Sequence, residues 1–192
     1  MPDSSTLPLS DMLGTYRSIS SFFAICRLDP TVAALLDSQS SSTTVLAPRN
    51  SAFDRMPRKP WEDARDYATY GPNAYDSSSN PDSSNHQPST SSNPDSNPLS
   101  SPPSESDGKR RADANLARFV KAHLIPQTSW PRGARVATLA GRQVWWDWAP
   151  DADAHADLPP NNGGPRIIMP DGVRVESVTS PVANGQVVSP LL

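Results

Sequence analysis

Apolar residues recur at helical spacing through the first quarter of the chain. In LSDMLGTYRSISSFFAICRL (9–28), Leu9, Met12, Leu13 and Tyr16 form one cluster, and Ile19, Phe22, Phe23 and Cys26 continue it. This spacing predicts a helix over 9–28. Asp29-Pro30 then supplies an N-cap and a first-turn proline for a second helix through Leu36. Next, the β-branched run Thr43-Thr44-Val45-Leu46 predicts a strand that ends before Pro48, and NSAFDRM predicts a short helix capped by Asn50. WEDARDYATY (61–70) adds a helical turn or two before Gly71-Pro72. A further helix, from about Asp113 to Leu124, gathers Leu116, Phe119, Val120, His123 and Leu124 on one face. After it the period changes to two. Strands are predicted at RVATLA (135–140), RQVWWDW (142–148), RIIM (166–169) and VRVESV (173–178), with a final pair around Asn184-Gly185. Gly141, Asn162-Gly163-Gly164 and Asp171-Gly172 mark turns between them.

Helices first and strands afterwards predict an α+β fold, with the N-terminal helices packed on a twisted sheet built mainly by the C-terminal half. The pattern stops between Asp76 and Asp107. There 13 residues are Ser, 6 Pro and 4 Asn, and the one aliphatic side chain is Leu99. Such a stretch has no apolar surface to offset the entropy of ordering, so 76–107 is expected to be a disordered surface-loop insertion. Neither flank alone carries enough apolar pattern for a core. The expected organisation is therefore one domain over 9–192, interrupted at 76–107 and preceded by a flexible 1–8.

Composition narrows the function classes. Lys and Arg total 17 against 20 Asp and Glu, a net charge of −3. With a pI near 5.5, the chain lacks the basic balance of a nucleic-acid binder. Its single cysteine, Cys26, excludes a disulfide scaffold. No run approaches the roughly 20 apolar residues of a membrane-spanning helix. MPDSSTLPLSDML has neither the basic nor the apolar region of a signal peptide, which predicts a cytosolic protein or a processed form.

Several residues invite a chemical reading. Strand, sharp turn and helix around Ser51 is a layout that enzymes use to present a nucleophile. Its neighbours Asn50 and Ala52, however, are not the glycines that such an elbow needs. A structural role is the simpler reading. His123 could serve a hydrolase as an acid or base, but it lies on the apolar stripe and the sequence supplies no partner for it. In DADAHAD, Asp151, Asp153, His155 and Asp157 would share one face if extended and offer weak divalent ligation; a solvated loop is the plainer alternative. VWWDW puts Trp146 and Trp148 on one side and Trp145 on the other. Any tryptophan left outside the core is a candidate contact for a sugar or small ligand. Lys109 and Arg110, in GKRR at the exit of the insertion, form a candidate processing site or a solvated helix flank. No cofactor is expected.

Four stretches, in order, resemble the fasciclin domain. The family's T-x-F-A-P-T-x-x-A-F is similar to Thr44-Val45-Leu46-Ala47-Pro48-Arg49-Asn50-Ser51-Ala52-Phe53, with Leu46 for the phenylalanine and Arg49 for the threonine. Its Tyr-His pair corresponds to Ala122-His123, its T-L-x-G to Thr138-Leu139-Ala140-Gly141, and its Asn-Gly before a last apolar strand to Asn184-Gly185. The tryptophan-rich strand and IIMPDGVRVESV look most like single-domain fungal members, some of them associated with the vacuole. The resemblance implies a non-catalytic adhesion or interaction module of the secretory pathway, vacuole or cell exterior, with a protein or glycan partner. It implies that Thr44, Ala47, Pro48, Asn50, Phe53, His123, Thr138, Leu139, Gly141, Asn184 and Gly185 hold the fold. Ala122 replaces the tyrosine, so an adhesive role tied to that pair does not transfer.

Overall fold

The computed structural model describes residues 7–75, 105–150, 165–178 and 182–191. They divide into two compact units, Met1–Lys59 with Ala117–Leu192, and Pro60–Leu116. The described elements confirm an α+β protein, with six helices and a seven-stranded mixed sheet among them.

In the larger unit, β1 (Thr43–Leu46) is buried along its whole length. It pairs antiparallel with the short β2 (Leu124–Ile125) and parallel with β7 (Gly185–Leu191). The sheet continues through β6 (Val173–Val178), β5 (Arg166–Met169), β4 (Gln143–Trp148) and β3 (Val136–Ala137), giving the order β2-β1-β7-β6-β5-β4-β3. A strand covered on both faces is best apolar or hydrogen-bonded at every position; Val45, Leu46 and the hydrogen-bonded Thr44 meet that demand, while Thr43 Oγ1 is buried without a partner among the described residues. Val45 and Val187, opposite one another, join a core with Leu9, Leu13, Phe22, Val32, Leu36 and Leu124. Leu46 and Val188, one residue on, join a second cluster with Ile125 and Val144. The two-residue period of a strand thus divides one β-ribbon between two cores.

The helices of this unit are α1 (Leu9–Thr15), α2 (Ser20–Cys26), α3 (Pro30–Asp37), α4 (Asn50–Arg55) and the end of α6 (Glu105–Ala122). The helix predicted over 9–28 breaks at Tyr16, which is extended, and a 3₁₀ turn follows over Arg17–Ile19. The cause lies far off in sequence. The Asn50 side-chain oxygen accepts from Ser21 N at 3.0 Å, and its amide donates to Arg17 O at 2.8 Å and Ser20 Oγ at 3.1 Å. Asn50 therefore does not cap its own helix. It is the first residue of α4, whose N-cap position is Arg49, and it satisfies the first turn of α2 instead. Asp29 caps α3 as predicted, accepting from Thr31 N at 2.9 Å and Val32 N at 3.3 Å. Burial works to raise its carboxyl pKa, but hydrogen bonds from Lys121, Val32 and Thr31 outweigh that and hold it below the ordinary value.

Other boundaries also differ from the pattern. Helix α6 begins at Glu105, ahead of Asp113, so residues 105–107 are helical. Leu124 has left the helix for β2. Of RVATLA only Val136–Ala137 is strand, because Thr138–Gly141 folds into a turn. In place of a final strand pair, one bridge joins Val182 to Gly185 before β7 runs on beside β1.

The smaller unit is held by polar contacts. Asp63 caps α5 (Ala64–Tyr70), accepting from Arg65 N at 2.9 Å. The buried Asn115 amide donates to Trp61 O, Asp66 Oδ2 and Tyr75 Oη at 2.9–3.1 Å, while Tyr75 donates to Asp66 at 2.5 Å. Burial, then the Asp66 carboxylate, push the Tyr75 phenol up to about 12. Arg111 reaches Ala74 O at 2.7 Å, with its guanidinium 4.0 Å from the Tyr70 ring. No helix among the described residues is long and apolar enough to cross a membrane.

Gly185 starts β7 where the backbone of β1 passes closest. A Cβ there would overlap the Thr43 carbonyl oxygen and lie 2.6 Å from Leu9 Cδ1. Gly185→Ala is expected to destabilise the protein by about 2 kcal/mol or more, since overpacking against backbone has no flexible atom to yield. Urea-melt midpoints of the two proteins test this; equal midpoints would show that the strands separate freely.

Candidate functional site

The motif residues occupy one continuous region of the larger unit. Thr44 on β1, Ala47 and Pro48 in the link that follows it, and Phe53 on α4 are buried. Thr44 Oγ1 donates to Gln127 O at 2.8 Å and accepts from Gln186 Nε2 at 3.1 Å. Ser51 is exposed on α4. Asn50, next to it, is engaged with the start of α2.

His123 follows α6, where its carbonyl accepts from Leu46 N at 2.8 Å. Its Nδ1 lies 2.7 Å from Phe119 O; a carbonyl can only accept, so Nδ1 carries the proton. The ring packs against Phe119 at 4.5 Å and Phe22 at 5.4 Å. Burial lowers its pKa below the ordinary 6.5; the Phe119 hydrogen bond works upward and the Arg142 charge downward. At neutral pH the imidazole is neutral and fixed in one tautomer. Those are the properties of a core histidine.

Thr138 to Gly141 close the end of α6. Leu139 N donates to Leu124 O at 2.8 Å and Ala140 N to Lys121 O at 3.1 Å. Thr138 is buried, its Oγ1 accepts from Arg142 N at 3.2 Å, and Gly141 takes the positive φ of 83° that ends the turn. Leu139 is exposed. Asn184 is 1% exposed. Its Oδ1 accepts from Leu9 N at 2.7 Å, and its Nδ2 donates to Leu36 O at 2.8 Å and Ser38 O at 3.0 Å.

The tryptophan strand is different in kind. Trp146 and Trp148 meet edge to face at 5.3 Å on one side of β4, and Trp145 lies on the other under the Arg135 guanidinium at 4.5 Å. All three are half-buried. Arg166 stands directly opposite Trp148 on β5, its guanidinium 4.7 Å from the Trp146 ring and 5.8 Å from that of Trp148. Beside them opens a cavity of about 250 Å³ whose lining includes Trp130, Trp146, Arg166, Ile168, Val175 and Gln186. Trp130 and Arg166 carried no sequence signal for this place. Trp130 sits in an aperiodic loop, and the pairing of Arg166 with Trp148 depends on a strand register that no local pattern sets.

Lys109 and Arg110 lie within α6, exposed, with ion pairs to Asp113 at 2.6 Å and Asp107 at 2.9 Å. The flank read as a cleavage site or a solvated helix end is thus helical. Asp151, Asp153, His155 and Asp157 lie outside the described residues. Among the described residues no group of three or more His, Cys, Asp or Glu could hold a metal ion. Cys26 is buried, and burial pushes its thiol up to about 12, far from the reactive thiolate.

The lowered pKa of His123 fixes a pH dependence. The unfolded chain takes up a proton near pH 6.5, whereas the folded chain resists it, so this contribution is complete above 6.5 and is lost as pH falls. Stability should decline from pH 7.5 to pH 5 by at most about 1.4 kcal/mol per pH unit from this group. In His123→Phe that part of the slope should vanish. Urea melts at several pH values measure it, His86 and His155 being common to both proteins; an unchanged slope would mean that His123 titrates as if exposed.

No family model matches the chain. It is similar to a FAS1 domain-containing protein of Neurospora crassa, 35% identical over 184 residues, or 95% of this chain and 63% of that protein. FAS1 domain-containing proteins of Emericella nidulans and Aspergillus fumigatus are 33% and 31% identical, each over 93% of this chain and over 58% and 59% of their own length. The chain thus spans about six tenths of the curated relatives that it matches. With its α+β architecture and its Asn-Gly junction beside a buried TTVL strand, the chain belongs to the fasciclin (FAS1) domain family.

Proposed function

We propose that the chain is a non-catalytic interaction module working in the secretory pathway, the vacuole or the cell exterior, where it engages a protein or a cell-surface glycan. Residues 9–192 act as one fasciclin-like domain interrupted by 76–107. The observation that carries the reading is the position of His123. Its Nδ1 is bound to Phe119 O and its ring packs on Phe22 and Phe119, so the best candidate for acid–base work serves the core. Likeness to FAS1 domain proteins of three fungi supports the same reading. Contacts to the partner come from surface loops and the tryptophan strand.

The tagged full-length gene product, followed in its native cell, should be found in the endomembrane system, the vacuole or outside the cell, and cross-linking there should trap a partner at that site. Cytosolic residence would overturn the proposal. So would turnover of a p-nitrophenyl ester or glycoside panel that disappears in His123→Phe.

A further inference from the structure

We propose that the cavity beside the tryptophan strand is a binding site for a small amphipathic carboxylate, with an apolar body and one anionic head. The inference goes beyond the interaction role and does not depend on it. Three observations converge on the cavity.

Its size comes first. About 250 Å³ is just below the roughly 300–1,000 Å³ that drug-sized ligands occupy, so it suits a small molecule and not a chain segment. The lining comes second. Ile168, Val175 and Val188 share it with the Trp130 and Trp146 rings. The polar side chains of the lining are Ser129, Arg166 and Gln186, and each sugar hydroxyl that they leave buried without a partner would be costly. An aromatic or aliphatic body loses nothing there.

The third observation is the charge. Two other arginines of the larger unit are paired, Arg132 with Asp147 at 3.6 Å and Arg142 with Asp171 at 2.6 Å, while Arg135 lies over Trp145 on the opposite side of β4. Arg166 has no carboxylate partner among the described residues; the Trp146 and Trp148 rings are its neighbours. Stacking on aromatic faces covers the plane of a guanidinium and leaves its N–H edge free for a planar anion. A carboxylate fits that edge in a bidentate manner, as a neutral group of the same shape does not. At the cavity's other side Gln186 is held by its amide nitrogen to Thr44 Oγ1 and Thr128 O, so it stays fixed while a ligand enters.

The test uses the full chain, titrated with 4-phenylbutyrate by calorimetry and by NMR of the tryptophan indole N–H signals. Matched ligands are the neutral 4-phenylbutanamide and glucuronate. Arg166 is exposed, so Arg166→Gln should keep the wild-type circular dichroism. The acid should bind saturably and shift the indole signal assigned through Trp146→Phe. Arg166→Gln should weaken it about tenfold or more, as expected for losing a charge-assisted bond. The amide should bind more weakly and equally to both proteins. No saturable binding, equal affinity for acid and amide, indifference to Arg166→Gln, or shifts confined to other tryptophans would each overturn the proposal. Tighter binding of glucuronate would overturn it in favour of a sugar site.

Discussion

The larger unit depends on one buried carboxamide. Asn184 accepts from the first amide of α1 and donates to two carbonyls at the end of α3, at 2.7–3.0 Å. Its own carbonyl accepts from Thr43 N at 3.0 Å, where β1 begins. A helix start has amides with no partner of their own and a helix end has carbonyls. Both are brought here to a position that water does not reach. An amide side chain answers both needs because one end accepts and the other donates. Each bond alone contributes on the order of 1 kcal/mol, but leaving any of these groups buried and unpaired costs up to about 3. The identity of residue 184 is thereby set by geometry, and Gly185 follows from it, since the chain must then pass against the Thr43 carbonyl without a Cβ.

From that clamp the rest of the unit follows. Once β7 is placed against β1, Val45 and Val187 face one core while Leu46 and Val188 face the other. Asn50 applies the same solution on a smaller scale, fixing α4 to the start of α2 across some thirty residues of sequence. His123 applies it a third time, binding the Phe119 carbonyl through its side chain and Leu46 N through its backbone. Polar residues that invite a chemical reading in the sequence are partners for backbone groups instead, Asn50 at the exposed start of α2 and His123 at the partly buried end of α6.

What the sequence revealed follows from how far apart the interacting groups are. Asp29 capping α3 is local, and it was legible from two residues. The alternation of Trp145 against Trp146 and Trp148 is also local, and the structure reproduces it. The break at Tyr16 was not legible, because its cause is Asn50 and the apolar spacing runs unbroken through Tyr16. Nor was β2, since two residues paired to Thr44 and Val45 have no period of their own. Asn184-Gly185 looked like a hairpin turn because Asn-Gly favours one. Its actual role depends on a parallel partner about 140 residues earlier. The family resemblance reached Asn184 where local rules did not, because a motif preserves the result of a distant contact.

The same reasoning separates the two sides of the β1–β7 ribbon. On the helix side the described polar groups at Asn184, Asn50 and His123 are matched by backbone, and the apolar residues fill the space between. A cavity of about 380 Å³ also opens on that side, lined by residues of α1, α2 and α3 that include Asp11, Phe23, Arg27 and Asp37. On the other side, Leu46 and Val188 meet a cluster that ends at Trp130, Ile168 and Val175, beside a cavity where the Arg166 guanidinium lies over two indoles with no carboxylate partner among the described residues. A guanidinium over aromatic rings contributes about 0.5–1 kcal/mol to a folded chain at an exposed site, and the cavity lining adds the polar Ser129 and Gln186 to its apolar side chains. The cation, the indoles and the apolar lining meet at one place on the sheet, which is the arrangement that the proposed carboxylate site requires.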